Sequence, residues 1–267
     1  MTLKTDVIID HELCTGCGAC VRDCSKLNLE LRDGKAVVLS SCFKCGHCVA
    51  ICPEGAPSLP CYADVPVEYD PATFDLPTEN IINSVKFRRS IRAFKDEPIS
   101  MEHLRLLIEA GGHMPTAKNT QMNRFDFVQD SLPEFKELVW SWLEDVYETD
   151  RIMPIPVDVL SGFIARKRTD PKDDYFFRNA PAVLFIESVD PLDAGLAAAS
   201  IEMVARSLGI GVLYNGFLQR IVAACPQARA YFDMSDERGL NACMLLGYQA
   251  RHYVRTAPRR YPSVILR

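Results

Sequence analysis

Two short stretches, "CTGCGACVRDCS" (14–25) and "CFKCGHCVAICP" (42–53), hold eight of the eleven cysteines in a chain of 267 residues. In each, three cysteines stand three apart and a fourth follows four later: Cys14, Cys17, Cys20 and Cys24, then Cys42, Cys45, Cys48 and Cys52. So dense a set of thiols points to disulfides or to metal. Disulfides belong to exported chains, and the start, "MTLKTDVIIDHELC", lacks the apolar core of a signal peptide. Zinc usually takes cysteines as separated pairs, four per metal, which the triplets fit poorly. An iron–sulfur cubane fits better. A looping backbone turns three sulfurs inward in succession, and the fourth corner comes from elsewhere in the chain. Gly16, Gly18 and Gly46 lie inside the loops, where a missing Cβ lets backbone N–H groups approach sulfur.

From about residue 5 to 60 the chain resembles the two-cluster bacterial ferredoxins, in which the last cysteine of each run ligates the other run's cluster. On that pattern Cys14, Cys17, Cys20 and Cys52 hold one 4Fe–4S cluster; Cys42, Cys45, Cys48 and Cys24 hold the other. The resemblance implies single-electron transfer. Ser25 stands where the pattern often has proline, which removes no ligand. Cys61, Cys225 and Cys243 fall outside the runs and read as small apolar residues in a core.

Other elements must position this chemistry and whatever it serves. Six prolines in the 28 residues from Pro53 to Asn80 predict an extended connector. The expected organisation is a cluster domain over 1–60, a linker over 61–82 and a second domain over 83–267. In the second domain "SMEHLRLLIEAGG" predicts a helix capped by Ser100, with Leu104, Leu107 and Ile108 inward and a stop at Gly111–Gly112. "SLPEFKELVWSWLEDVYE" offers Ser131 and Glu134 as a capping box, with Phe135, Leu138, Val139, Trp142 and Val146 on one face. "APAVLFIES" and "LNACMLLGYQA" read as strands, and "DAGLAAASIEMVARSLG" as a helix with a small-residue face. The fold class is α+β.

The stretch after the linker, "KFRRSIRAFKDEPIS", is basic, and arginine forks beside a hydroxyl match phosphate oxygens. Taken alone, such a patch is more often a solvated face than a phosphate site. It is followed in order by "HMPTAKNTQMNRFDFV", "NAPAVLFI", "SLGIGVLYNGFL" and "LLGYQA". Together these are similar to the FMN-dependent nitroreductase family, from about residue 83 to the C-terminus. The resemblance implies a three-layer α+β domain, a homodimer and FMN held between subunits. Arg88, Arg89, Ser90 and Arg92 would bind the phosphate and ribityl chain. Pro115, Thr116, Ala117 and Asn119 would reach the partner's flavin, and Asn215 and Gly216 would present backbone N–H groups to its reactive edge. Arg260, or else Arg255 or Arg259, would close over the phosphate. The chain has Gln121-Met122-Asn123 where the family often has Gln-Pro-Trp. Tyr175, Phe176 and Phe177 could line the substrate face, though such a trio is more often core.

A net charge of −5 gives no signal for nucleic acid, and no apolar run approaches a membrane span; "AGLAAASIEMVA" is short and carries Glu202. The expectation is a cytoplasmic flavin- and iron–sulfur-dependent reductase of a small organic acceptor (a nitroaromatic, quinone or activated alkene). NAD(P)H or a ferredoxin-type protein would be its donor, and no side chain is singled out as catalytic. The competing reading is an electron carrier or redox sensor without small-molecule turnover.

Overall fold

The computed structural model describes residues 7–149, 151 and 155–267. The first residues of the expected cluster domain, 1–6, lie outside them. The chain divides into two compact units, one running to Leu76 and including Thr116–Thr120, the other comprising Pro77–Pro115 and Gln121–Arg267.

The first unit contains β1 (Ile8–Ile9), α1 (Ala19–Asp23), β2 (Leu29–Arg32), β3 (Lys35–Val38), α2 (His47–Ala50), β4 (Pro57–Ser58) and α3 (Pro71–Phe74). β1 pairs antiparallel with β4, so the ends of the cysteine region close on each other. β2 and β3 form a hairpin through Asp33 and Gly34, both left-handed, as a tight turn with right-handed strand twist requires. The core is small: Val7, Leu29, Ala36 and Ala56 share it with Cys14 and Cys20. So few apolar side chains leave much of the cohesion to whatever the cysteines bind.

The second unit contains α4 (Thr78–Phe87), α5 (Met101–Gly112), β5 (Arg124–Val128), α6 (Leu132–Glu148), α7 (Val157–Thr169), β6 (Ala182–Ser188), α8 (Pro191–Ser207), β7 (Ile210–Tyr214), α9 (Gly216–Ala224), α10 (Pro226–Tyr231) and β8 (Gly239–Tyr248). Its antiparallel sheet has the order β5-β6-β8-β7. Every residue of β6 is buried, because helices cover both sheet faces. Val183 and Phe185 point into one core with α6, α7, α9 and α10; Ala182, Leu184 and Ile186 point into the other with α5 and α8. The small face of α8 (Ala194, Ala197, Ala198, Ala205) lets α5 approach until a Cβ on Gly111 would meet Ile201 at 2.8 Å. The domain is a three-layer α+β sandwich.

Several local expectations change. The proline-rich connector is not wholly extended: α3 forms one turn, and α4 begins at Thr78, directly after Pro77, a position where a missing N–H breaks no helical bond. Ser131 precedes α6 but makes no capping bond; its hydroxyl pairs with Tyr231 Oη at 2.7 Å. On α6 the core takes Trp140 and Leu143, while Trp142 and Leu138 are only partly buried. Ser100 does cap α5, accepting from the His103 N–H at 3.2 Å. Phe176 and Phe177 are core, whereas Tyr175 is exposed. Cys225 and Cys243 are buried, but Cys61 is exposed, so the core reading fails there.

A buried ionic cluster closes one end of the sheet. Arg124 lies 2.9 Å from Asp126 and 3.8 Å from Glu187, which is fully buried. Burial, reinforced by Asp126, pushes the Glu187 carboxyl up to about 7; Arg124 and Arg238 oppose this without prevailing. Between its ordinary value near 4.5 and about 7 the folded state keeps a proton that the unfolded chain has released. Stability therefore falls as pH rises through that window. Glu187→Gln is expected to flatten the slope of thermal stability against pH between those limits; an unchanged slope would contradict the assignment. A Cβ on Gly211 would sit 2.5–2.8 Å from the Ile91 side chain, whereas one on Gly162, exposed on α7, meets nothing within 4 Å. Gly211→Ala should cost ~1–3 kcal/mol and Gly162→Ala should gain about 0.4–1 kcal/mol, both read by denaturant unfolding.

Candidate functional site

The eight run cysteines assemble as two groups of four. One hollow is lined by Cys14, Cys17, Cys20 and Cys52, together with Gly16, Gly18 and Ala36. The other is lined by Cys24, Cys42, Cys45 and Cys48, with Gly46 and Lys44. Each hollow takes three sulfurs from one run and one from the other. Among the described residues no three ligating side chains converge on one ion's position. Four sulfurs around an open hollow suit a cubane better than a mononuclear ion.

Local backbone explains the arrangement. Gly18 and Gly46, at φ 73° and 77°, turn the chain into α1 and α2 immediately after the second cysteine of each run. Backbone N–H groups point at sulfur: Ala36 to Cys14 at 3.4 Å, Asn28 to Cys24 at 3.3 Å and Lys44 to Cys42 at 3.3 Å. The Ala36 and Gly16 amides draw the Cys14 thiol below its usual range. Burial, then neighbouring Cys52, raises Cys20; burial, then Cys45, raises Cys48 to about 11. Crowded buried thiolates repel one another, a cost that a cationic iron core removes. The donor set, amide cradle and two hollows fit two 4Fe–4S clusters.

In the second unit, the basic stretch bonds the edge strand β7 at Ile91 and the C-terminal end of β8 beyond it. Ile91 N–H donates to the Val212 carbonyl at 2.9 Å, Lys95 N–H to Tyr248 at 2.8 Å, and Ala250 N–H to Ala93 at 3.1 Å. Ile91 is buried against Gly211, while Arg89 and Ser90 are half-buried and Arg92 is exposed. Arg88 caps the C-terminus of α4 and pairs with Glu202 of α8 at 3.0 Å. Glu202 also lies beside Tyr214; burial first, then that carboxylate, raises the Tyr214 phenol well above its usual value. Arg206 stacks on Phe87 and bonds Ser84, fixing the end of α4 to α8. Glu202 and Tyr214 were missed as site residues. The one sequence signal was a lone acid inside the apolar α8 pattern.

Asn215 caps α9: its Oδ1 accepts from Leu218 N–H at 3.0 Å and its Nδ2 donates to Phe176 O at 2.9 Å. Its own N–H is engaged by Cys243 O at 2.9 Å, which corrects the expectation that it presents an N–H to a ligand. Gly216, the first residue of α9, keeps the outward N–H of a helix N-terminus. Pro115 ends a segment of the second unit, while Thr116, Ala117 and Asn119 belong to the first. There Asn119 Nδ2 donates to Lys44 O at 2.9 Å and to Phe43 O and Tyr62 Oη at 3.3 Å, so its amide donors are not directed to a flavin. Arg255, Arg259 and Arg260 are exposed in a C-terminal segment without regular structure. Among the described residues no hydrogen bond or ion pair joins them to Arg88–Arg92.

A family model described as the nitroreductase family matches residues 85–248, more than half of the chain. The chain belongs to the nitroreductase family. A second model, a 4Fe-4S dicluster domain, matches residues 6–53, so this family member carries a 4Fe–4S dicluster domain ahead of its nitroreductase domain. An NADPH-dependent oxidoreductase of Staphylococcus saprophyticus is 30% identical over 147 residues, 54% of this chain and 56% of the relative. The match thus spans little more than half of that protein. Two solved structures share the fold at 21% identity: a nitroreductase with bound FMN from Bacteroides fragilis (TM-score 0.56, 71% of this chain, 98% of that one) and an FMN-dependent nitroreductase from Clostridium difficile (0.54, 69% and 98%). Among the described residues no helix is long and apolar enough to cross a membrane.

The exchanged ligation is directly testable. Cys52→Ser should abolish the electron paramagnetic resonance signal of the cluster held by Cys14, Cys17 and Cys20, and lower iron to about four per chain. Cys24→Ser should do the same to the other. Loss of the signal belonging to the mutated cysteine's own run would overturn the pairing.

Proposed function

We propose that this protein is an FMN-dependent reductase in which two 4Fe–4S clusters exchange electrons with FMN and a small organic acceptor is reduced at the flavin. One observation carries the reading: a single chain holds two four-sulfur hollows and a nitroreductase domain whose Arg88–Arg92 stretch is hydrogen-bonded onto an edge strand. The FMN named for the similar structures supports the choice of flavin.

When bound, FMN supplies the interchange between one-electron and two-electron chemistry. Arg89, Arg92 and Ser90 would hold its phosphate and ribityl chain. Arg88 would contribute less net charge, since Glu202 already neutralises much of it, and would orient the neighbouring residues. The Gly216 N–H, at the positive end of α9, would donate to the flavin's reactive edge. Pro115, Thr116 and Ala117 would face the flavin of a partner subunit, and Arg260 would reach the phosphate from the C-terminal segment. No side chain acts as nucleophile, and the proton comes from solvent or a flavin-edge donor. Nitroaromatics, quinones and activated alkenes are the acceptor classes. Tyr261, Val264, Ile265 and Leu266 are 68–99% exposed, an apolar run that a second copy of the chain would bury, which favours a homodimer.

The donor separates this reductase from an ordinary family member. Anaerobic oxidised protein is mixed with NADH, NADPH or a reduced small ferredoxin while flavin absorbance is followed in a stopped-flow instrument. Ferredoxin should bleach the flavin, and Cys17→Ala should slow that reaction at least ~10-fold while leaving any nicotinamide-driven rate unchanged. Unaltered ferredoxin-driven bleaching in Cys17→Ala would remove the clusters from the route. Bleaching without turnover of any acceptor would favour a carrier or sensor.

A further inference from the structure

The two cysteine runs have the same spacing, yet their loops are held differently. The residue before the second cysteine is left-handed in both: Gly16 at φ 71° and Lys44 at φ 53°. Glycine takes this conformation freely, whereas a residue with a Cβ is strained in it. The first loop is held by the hairpin: Gly16 packs where a Cβ would lie 2.0 Å from Gly34 O, Lys35 Nζ donates to Cys14 O at 2.6 Å, and Ala36 N–H points at Cys14 Sγ. The second loop meets a different support. Lys26 donates to Ser41 O and lies 5.3 Å over the Phe43 ring, and Asn119 holds the Phe43 and Lys44 carbonyls.

We propose that Asn119 is a positioning residue for the cluster ligated by Cys42, Cys45, Cys48 and Cys24. Its amide fixes the two carbonyls that flank the Lys44 N–H, and that N–H donates to Cys42 Sγ at 3.3 Å. Asn119 is itself left-handed, at φ 55°, as is Lys118 at 54°; asparagine is one of the few side chains that tolerate this backbone. Nearly 75 residues of chain separate the amide from the loop it holds. The Thr116–Thr120 segment, whose flanks both belong to the second unit, thereby sets the hydrogen bonding of one cluster and not the other. Hydrogen bonds to cluster sulfur raise reduction potential by stabilising the more negative reduced state. The inference rests on the 4Fe–4S assignment of the first unit and is independent of whether the clusters serve FMN.

The test is a potentiometric titration of the cluster-loaded full-length protein, with each cluster followed by electron paramagnetic resonance. Asn119→Asp keeps the shape and the left-handed backbone but turns a carboxylate toward two carbonyls. At the wild-type midpoint it should lower the reduced-to-oxidised ratio of the second cluster about tenfold, a shift of about −59 mV for one electron, with the first cluster unmoved. Asn119→Gly, which also keeps the backbone, should shift the same cluster in the same direction by less and alter its line shape. If Asn119→Asp does not load iron, Asn119→Gly decides. An unchanged second-cluster potential and line shape, or equal shifts in both clusters, would overturn the proposal.

Discussion

The fourth cysteine of each run is the constraint on which the N-terminal unit depends. Cys24 and Cys52 each leave the run they belong to in sequence and complete the hollow of the other. Neither hollow can close until both halves of the unit have folded against each other, so ligation and folding are coupled. The pairing of β1 with β4 and the packing of α1 on α2 follow from the same requirement. A core of a few small side chains could not by itself order so many loops. In this unit the metal chemistry and the fold have one cause.

The second unit rests on apolar burial instead. Helices on both faces leave β6 without a solvent side, and the Ala-rich face of α8 draws α5 in closely. One consequence reaches the candidate flavin site. Gly211 has no Cβ, so Ile91 can lie on the sheet edge and its N–H can pair with Val212. Ile91 is buried there, while Ser90 beside it is half-buried and Arg92 is exposed. The pairing of Arg88 with Glu202 then keeps one guanidinium at the end of α4.

Much of this was legible in residue order. Cysteine spacing is readable because the size of a cubane sets the loop lengths that can wrap it, and β6 and β8 are readable because continuous apolar runs need two covered faces. Other features depended on partners far along the chain. Ser131 had the sequence of a capping box, but Tyr231, 100 residues away, took its hydroxyl. Pro77 looked like part of an extended linker and instead introduces α4. Glu202 was visible as an anomaly without its partners Arg88 and Tyr214, and nothing in the sequence around Asn119 shows that its amide donates to the Lys44 carbonyl. The exposure of Cys61 had no sequence signature at all.

If clusters and flavin form a single electron reservoir that drains into one acceptor, electron counting shows it most directly. The protein is reduced fully under anaerobic conditions, freed of excess reductant and titrated with a quinone while cluster and flavin spectra are recorded together. Two one-electron clusters and a two-electron flavin predict about four electrons delivered per chain, with all three centres reoxidised. Delivery of about two electrons, with the clusters still reduced when the flavin is fully oxidised, would contradict the account.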